Sequence, residues 1–249
     1  MNISESIEKT RESFEQSFAQ KSYYNKQTAD YSHLCLLLEM TKAANEQTLI
    51  DLGCGSGFLT FPLAERYPYS RVIGLDIVTE TLKSNTKTAE EKGINNLEFS
   101  AYDGKSFPFK DSAADVVITR YALHHFPDIS GSFKEIYRVL KPGGRLIISD
   151  PTPNEDDNTS FVDEYMKIKP DGHIKFYRLS EYREMLSGIG FEFISNAETS
   201  ITFPRKYSDK YIKPINNSDQ SIVSGYNVRI ADDEIRITER VLNMLFIKR

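Results

Sequence analysis

A glycine-rich loop near residue 55 is the part of the chain whose composition points most directly to ligand binding. The mostly apolar run 49–52 predicts a buried strand, and apolar residues with helical spacing resume at Phe58. Between them, Gly53, Gly55 and Gly57 allow a tight turn and the close approach of a ligand to the backbone. A strand, a glycine turn and a helix in this order open a nucleotide-binding βαβ unit.

The spacing of these glycines and an acidic neighbour favour a cationic ligand over a dinucleotide. The dinucleotide fingerprint is G-x-G-x-x-G, whereas this loop has G-x-G-x-G. Asp51, two positions before the first glycine, would repel a pyrophosphate bound on the loop. A nucleotide-dependent oxidoreductase on the same fold is the alternative that this spacing and Asp51 disfavour.

Polar side chains also follow the later predicted strands. Asp76 ends a short buried strand, where it could accept both hydroxyls of an adenosine ribose or cap the next helix. Tyr121, His124 and His125 follow the fourth strand, 114–119. Ligands of open α/β sheets bind outside the carboxyl ends of the strands, so these side chains are expected to line the site. His173 lies in a later loop, where it could be either solvated or placed over the pocket.

Composition narrows the possible partners. The net charge is −5, and Lys and Arg are spread along the chain, which predicts a small-molecule substrate and no nucleic-acid surface. The two cysteines, Cys35 and Cys54, make neither a disulfide framework nor a metal-ligand spacing. No apolar run approaches a membrane span, and the first residues lack an apolar targeting segment. We therefore expect a reduced cytoplasmic enzyme without a bound metal, either a monomer or a homodimer.

Several motifs between residues 48 and 150 resemble those of the class I S-adenosylmethionine-dependent methyltransferases, in the branch similar to the menaquinone and ubiquinone methylases. D-L-G-C-G-S-G at 51–57 resembles motif I, and R-V-L-K-P-G-G-R-L at 138–146 resembles the segment leading into the fifth strand. The segment 103–109 resembles G-D-A-x-x-L-P-F, although Tyr102 and Gly104 stand where glycine and alanine are common. A weaker match, between Phe18 and Tyr24, resembles an element that covers the methionine end of the cofactor.

This resemblance implies S-adenosylmethionine as cofactor, S-adenosylhomocysteine as product and in-line methyl transfer to the O, N or C atom of a small molecule. The cofactor-binding residues that it implies, together with the residue reasoning above, are Asp51, Gly53, Cys54, Gly55, Gly57, Asp76, Ile77, Asp103, Gly104, Arg120 and Tyr24. The candidate bases are Tyr121, His124, His125 and His173. Three of them are histidines, because histidine is the side chain that titrates near neutral pH without help from its surroundings. Paired histidines recur in the family regardless of substrate, which favours a structural or pocket-shaping role for them. A non-catalytic cofactor-binding protein stays open, whereas the lack of an Asn-Pro-Pro-Tyr-like signature after the fourth strand counts against a macromolecular methyltransferase.

The expected architecture is a single α/β domain over 1–249. The resemblance implies a Rossmann-like, seven-stranded, mostly parallel sheet in the order 3-2-1-4-5-7-6, with helices on both faces. Residues 1–47 predict a helical arm, which either packs on the sheet edge or covers the cofactor. Residues 48–150 form the cofactor-binding core, and the sixth strand is predicted over 191–196. Segments 151–178 and 203–230 are predicted lid insertions.

Overall fold

Strands and helices alternate through the first half of the chain, as the apolar runs predict. The computed structural model describes residues 2–19, 30–231 and 233–249. The helices are α1 Ile3–Ala19, α2 Tyr31–Thr41, α3 Thr60–Arg66, α4 Thr79–Glu91, α5 Ile129–Val139, α6 Phe161–Met166, α7 Leu179–Ser187, α8 Asp209–Asn217 and α9 Gln220–Gly225, with a 3₁₀ turn at Leu123–His125. The strands are β1 Thr48–Leu52, β2 Arg71–Asp76, β3 Leu97–Ala101, β4 Ala114–Arg120, β5 Leu140–Thr152, β6 Phe191–Lys206, β7 Arg229–Ala231 and β8 Glu234–Lys248.

The strands form one sheet in the order β3-β2-β1-β4-β5-β8-β6. Strands β1 to β5 are parallel, and β8 runs antiparallel between β5 and β6. The long terminal strand therefore takes the place of the predicted seventh strand, and the predicted fold class and order are confirmed. The short β7, which pairs with β8, is an addition that the sequence patterns did not predict.

Two apolar cores lie on opposite faces of the sheet, because successive strand residues point to opposite sides. On one face, Ile50 and Val117 pack with Phe133 of α5. On the other face, Leu49 packs with Leu37 of α2. Parallel strands covered on both faces read as nearly continuous apolar runs, which is why β1 and β4 are recognisable from sequence. None of the helices in the described ranges is long and apolar enough to cross a membrane.

A third core lies beyond these two, where the ends of β6 and β8 extend past the rest of the sheet. Ile201, Phe203 and Ile237 pack there against Tyr165 of α6 and Tyr226, which follows α9. Strand β6 thus continues to Lys206, so its predicted end at 196 and the predicted start of an insertion at 203 are wrong. Burial alternates over 201–206, as expected for a strand, and the edge position of β6 accommodates Pro204, which lacks an N–H to donate.

Glu239 is an acidic side chain inside this third core. It is fully buried, and neither carboxylate oxygen has a hydrogen-bond partner among the described residues. Burial raises the pKa of Glu239 from 4.5 to about 8. The folded state therefore holds a proton that the unfolded chain releases above pH 4.5, so the free energy of unfolding decreases as the pH rises from 4.5 to 8.

We expect Glu239→Gln to flatten this decrease and to stabilise the protein at pH 8 by about 2–4 kcal/mol. Urea unfolding at pH 5.5 and at pH 8 measures the effect. Part of the decrease in the free energy of unfolding with pH should persist, because burial also raises the pKa of Asp51 and Asp150 to about 7. Glu65→Gln, at an exposed position of α3, should keep the wild-type slope. An unchanged slope in Glu239→Gln would contradict the assignment.

Candidate active site

A cavity of about 200 Å³ lies at the carboxyl ends of β1, β2 and β4, where the fold rule places ligands. Ten of the residues predicted from the sequence line it: Gly53, Cys54, Gly55, Asp76, Ile77, Gly104, Arg120, Tyr121, His124 and His125. Four others do not line it: Asp51, Gly57, Asp103 and His173. Tyr24 lies outside the described residues.

The glycine loop packs directly against the segment that follows β4. Gly53 has a φ of +73°, and its N–H donates to the carbonyl oxygen of Leu75 at 2.7 Å. A Cβ added at Gly53 would lie 2.5 Å from the Cβ of Ala122. Gly57 has a φ of +81°, and a Cβ there would meet the ring of Phe61 at 2.6 Å. The loop therefore needs glycine for its conformation and also for its packing.

We expect Gly53→Ala to destabilise the protein more than Gly143→Ala does. Gly143 has a φ of +75° but has no atom within 4 Å of an added Cβ, so its substitution isolates the cost of the backbone conformation. That cost is about 1 kcal/mol. The contact with Ala122 should add about 1–3 kcal/mol at Gly53. Urea unfolding of both variants measures the difference, and equal losses would show that the steric contact is relieved without cost.

Asp76 connects the end of β2 to the glycine loop. Its Oδ2 accepts from the N–H of Gly55 at 2.8 Å, and its Oδ1 accepts from the N–H of Val78 at 2.9 Å. Burial raises the pKa of this carboxyl, and the backbone hydrogen bonds oppose that rise. Each carboxylate oxygen has lone pairs beyond the one used here. Asp76 thus supports the start of α4 and still presents acceptors at the cavity wall.

The other two predicted carboxylates are engaged within the protein. Asp51 is buried and accepts from the Oγ1 of Thr60 at 2.6 Å, and burial raises its pKa to about 7. Asp103 is exposed, and its Oδ1 accepts from the N–H groups of Lys105 and Ser106, both at 2.8 Å. These hydrogen bonds lower the pKa of Asp103. In this structure Asp51 ties β1 to α3, and Asp103 shapes the loop that brings Gly104 to the cavity.

Arg120 and Tyr121 form the wall at the end of β4. The guanidinium of Arg120 lies 4.6 Å from the ring centroid of Phe58 and 4.1 Å from that of Tyr121. Tyr121 has a φ of +54°, a conformation that costs energy for a bulky side chain and that occurs preferentially at functional sites. Burial raises the pKa of the Tyr121 phenol well above its ordinary value, which disfavours Tyr121 as a base.

His33 of α2 stands behind this wall and was missed by sequence reasoning. Its Nδ1 lies 3.1 Å from the Oη of Tyr121, and its Nε2 lies 2.8 Å from the Oδ1 of Asn243 and 2.9 Å from the Oγ of Ser149. These contacts hold the Tyr121 ring in place from α2, β5 and β8. A single histidine in an apolar helix carries no sequence signal for such a role.

His124 forms a buried pair with Asp150 at the end of β5. Its Nδ1 lies 3.0 Å and 3.1 Å from the two carboxylate oxygens, and its backbone N–H donates to Oδ2 at 3.1 Å. The Oη of Tyr182 donates to the same Oδ2 at 3.4 Å. Burial lowers the pKa of His124 and raises that of Asp150, which favours a neutral imidazole. Asp150 lies near the end of β5, as Asp76 lies at the end of β2, and that shared pattern could have revealed it.

The two other predicted histidines are placed differently. His125 lines the cavity with its ring edge-on to Phe14 at 5.1 Å, and its Nδ1 has no hydrogen-bond partner among the described residues. Burial lowers the pKa of His125 to about 3. His173 is buried behind His124 at 5.4 Å between ring centroids, and its Nε2 lies 2.8 Å from the Oδ1 of Asp163. Of these three histidines, only His124 both lines the cavity and has a carboxylate partner there.

Helix α1 contributes one wall of the cavity. Ile7, Thr10 and Phe14 line the cavity. A Cβ at Gly104 would lie 2.8 Å from Ile7, and a Cβ at Gly172 would lie 2.1 Å from the Oγ1 of Thr10. Both glycines have positive φ angles, so each brings its loop into close contact with the helix. At the far end, Met166, Asp171, Phe203 and Arg205 complete the wall. Arg205 was also missed by sequence reasoning.

Comparison with known proteins identifies the family. A family model described as a methyltransferase domain matches residues 43–188. The chain is 31% identical over 161 residues to the uncharacterized methyltransferase YcgJ of Bacillus subtilis, which covers 64% of this chain and 62% of that protein. It is 40% identical over 101 residues to the demethylmenaquinone methyltransferase of Lactococcus lactis, covering 40% of each. The matches thus span less than two thirds of the lengths of these curated relatives.

The fold agrees with this relationship. The crystal structure of YcgJ superimposes with a TM-score of 0.77 and 25% identity, covering 88% of this chain and 99% of that one. The matched region contains the glycine loop, Asp76 and the His124–Asp150 pair. The chain belongs to the methyltransferase domain family, and the assignment to the S-adenosylmethionine-dependent methyltransferases that its motifs suggested is confirmed at the level of the family.

Proposed function

We propose that this chain transfers a methyl group from S-adenosylmethionine to a small-molecule acceptor and that His124 serves as the general base. The observation that carries the proposal is one cavity that joins the glycine loop and Asp76 to the His124–Asp150 pair. The residues present suit the cofactor. Gly53 and Gly55 line the cavity in positive-φ conformations and present backbone without side chains, and Asp76 offers acceptors for ribose hydroxyls.

When bound, S-adenosylmethionine supplies an electrophilic methyl group on a sulfonium. The task of the protein is then to align the acceptor, to exclude water and to accept a proton where the nucleophile carries one. Asp150 engages Nδ1 of His124, which leaves Nε2 as the nitrogen available to an acceptor in the cavity. Burial lowers the pKa of His124, so the imidazole is neutral before the reaction but is a weaker base than a free histidine, and the proposed role therefore depends on the Asp150 carboxylate to stabilise the imidazolium that forms.

Enclosure of the site supports a small acceptor. Helix α1 lies over the cavity, and its Ser13 Oγ donates to the carbonyl oxygen of Pro170 at 2.5 Å. Met166 and Asp171, within 151–178, and Phe203 and Arg205, at the end of β6, line the far end. We assign segments 151–178 and 207–230, with α1, to the lid of a single domain. A polymer would have to displace these elements to reach His124. The cytoplasmic location and the monomeric or homodimeric state stay predictions.

Calorimetric titration with S-adenosylmethionine and S-adenosylhomocysteine, followed by a screen of phenols, quinols and amines for methyl acceptance, tests the proposal. We expect binding of both cofactor forms and release of S-adenosylhomocysteine with at least one acceptor class. Folded protein that binds neither form would contradict the proposal, and NAD(H) titration would then test the oxidoreductase alternative. Cofactor binding without turnover on any small acceptor, but with methylation of protein or RNA, would overturn the acceptor class alone.

A further inference from the structure

Arg205 is a buried cation at the wall of the cavity. Its side chain belongs to β6, and the residue is only 7% exposed. Its Nη1 donates to the carbonyl oxygen of Pro204 at 3.1 Å, and its Nη2 lies 3.6 Å from the sulfur of Met166. No carboxylate oxygen of the described residues lies within 4.0 Å of its nitrogens. The guanidinium thus faces the cavity with neutral partners only.

The acidic groups around Arg205 do not neutralise it. Asp171, which also lines the cavity, pairs with the Nζ of Lys169 at 2.9 Å. Glu239 lies more than 4.0 Å away, and its raised pKa of about 8 keeps it mainly protonated at neutral pH. The side chain of Tyr165, packed in the same core, is an uncharged phenol whose pKa burial raises further. One positive charge therefore remains unbalanced at this end of the cavity.

Such a charge is costly for the folded protein. Burying an ion without a paired ion costs several kcal/mol, and buried charges are normally paired or bind ligands. Apolar and aromatic side chains of Phe14, Met166 and Phe203 surround the remaining space at this end. A ligand that combines an anionic group with an apolar body would balance the charge and fill that space.

We propose that Arg205 binds an anionic group, a carboxylate or a phosphate, on an acceptor whose remaining surface is largely apolar. This assignment rests on the proposed function, since it names the chemical class of the acceptor. It also sets the orientation of the acceptor. The anion lies at the β6 end, so the methyl-accepting atom lies toward His124 and the glycine loop.

Benzoate, phenyl phosphate and the neutral isostere benzamide test the proposal as ligands of the protein saturated with S-adenosylhomocysteine, by saturation-transfer NMR and calorimetry. We expect benzoate or phenyl phosphate to bind at least tenfold more tightly than benzamide. Arg205→Met should weaken anion binding by about 10- to 100-fold, the loss of hydrogen bonds to a charged group, and Arg205→Lys should weaken it less. The preferred anion distinguishes a carboxylate acceptor from a phosphate acceptor.

Arg236→Met is the matched control, because Arg236 is exposed on the adjoining strand opposite Pro204. It should leave the binding of all three probes unchanged. Arg205→Met should also fold, with an unfolding midpoint equal to or above that of the wild type, because an apolar replacement of an unpaired buried ion is often neutral or stabilising. If that variant does not fold, anion binding is compared between the wild type, Arg205→Lys and Arg205→Gln instead.

The outcomes separate this proposal from the proposed function. Binding of S-adenosylhomocysteine without any preference for the anions over benzamide would overturn the role of Arg205 alone. Unchanged anion binding in Arg205→Met would do the same. If S-adenosylhomocysteine does not bind, the proposed function fails, and the same titrations on the ligand-free protein still report whether Arg205 binds anions.

Discussion

Replacement of Asp76 by Asn should weaken the binding of S-adenosylhomocysteine by about 100-fold. The variant keeps the shape of the side chain but loses its charge and one of its acceptors, and its amide N–H₂ would face a backbone N–H of Gly55 or Val78. Two ribose hydroxyls would then lose hydrogen bonds to a charged acceptor, each worth at least about 1.5 kcal/mol. Together they correspond to about two factors of ten in affinity.

Calorimetric titration of the wild type, Asp76→Asn and Asp156→Asn measures this effect. Asp156 is exposed after β5 and does not line the cavity, so its variant should bind as the wild type does. Circular dichroism confirms that each variant is folded. Wild-type affinity in folded Asp76→Asn would show that the cofactor does not bind to the Asp76 carboxylate at the end of β2.

Removal of the His124 imidazole should give the second large effect, a decrease in kcat of about 10²- to 10⁴-fold for an acceptor with a protonated nucleophile such as a phenol. The affinity for S-adenosylhomocysteine should stay within a few-fold of the wild type, because the proposed role of the imidazole is on the acceptor and not on the cofactor. Asp150→Asn should reduce kcat less, since the imidazole stays in place without its carboxylate partner. Single-turnover rates with an acceptor from the screen measure these changes for His124→Ala and Asp150→Asn.

His125→Asn supplies the comparison within the same dipeptide. His125 lines the same cavity but has no carboxylate partner among the described residues, so we expect less than a tenfold loss of kcat. Equal losses in both histidine variants would indicate that the pair shapes the pocket and that neither residue acts as the base. A wild-type kcat in His124→Ala would show that His124 takes no part in the mechanism.

Features that depend on neighbours in sequence were predictable. The buried strands β1 and β4 are apolar runs, and the glycine loop with Asp76 lies within a short βαβ unit, so local spacing is enough to bring these residues together. The strand order required the family resemblance. Composition could exclude a basic surface but could not identify an acceptor.

Features that depend on distant packing were not predictable. Strand β6 is polar over 195–200, and it is a strand there because β8 pairs with it along its whole length. Arg205 faces the cavity only because β6 continues past 196 and α6 places Met166 beside it. His33 contacts the site through Tyr121 and is held on its other side by Asn243, which is 210 residues away in sequence. Such contacts become visible only once the sheet is assembled.

Helix α1 contacts two different loops beside the cavity, and under the proposed function this arrangement has a kinetic consequence. Ile7 packs against Gly104, and Thr10 packs against Gly172, which is next to the cavity-lining Asp171. A movement of this one helix would then admit or release both ligands, so a ternary complex would assemble before closure and both products would depart in one opening event. The frequency of that opening would set an upper limit on steady-state turnover, however fast the methyl transfer itself becomes.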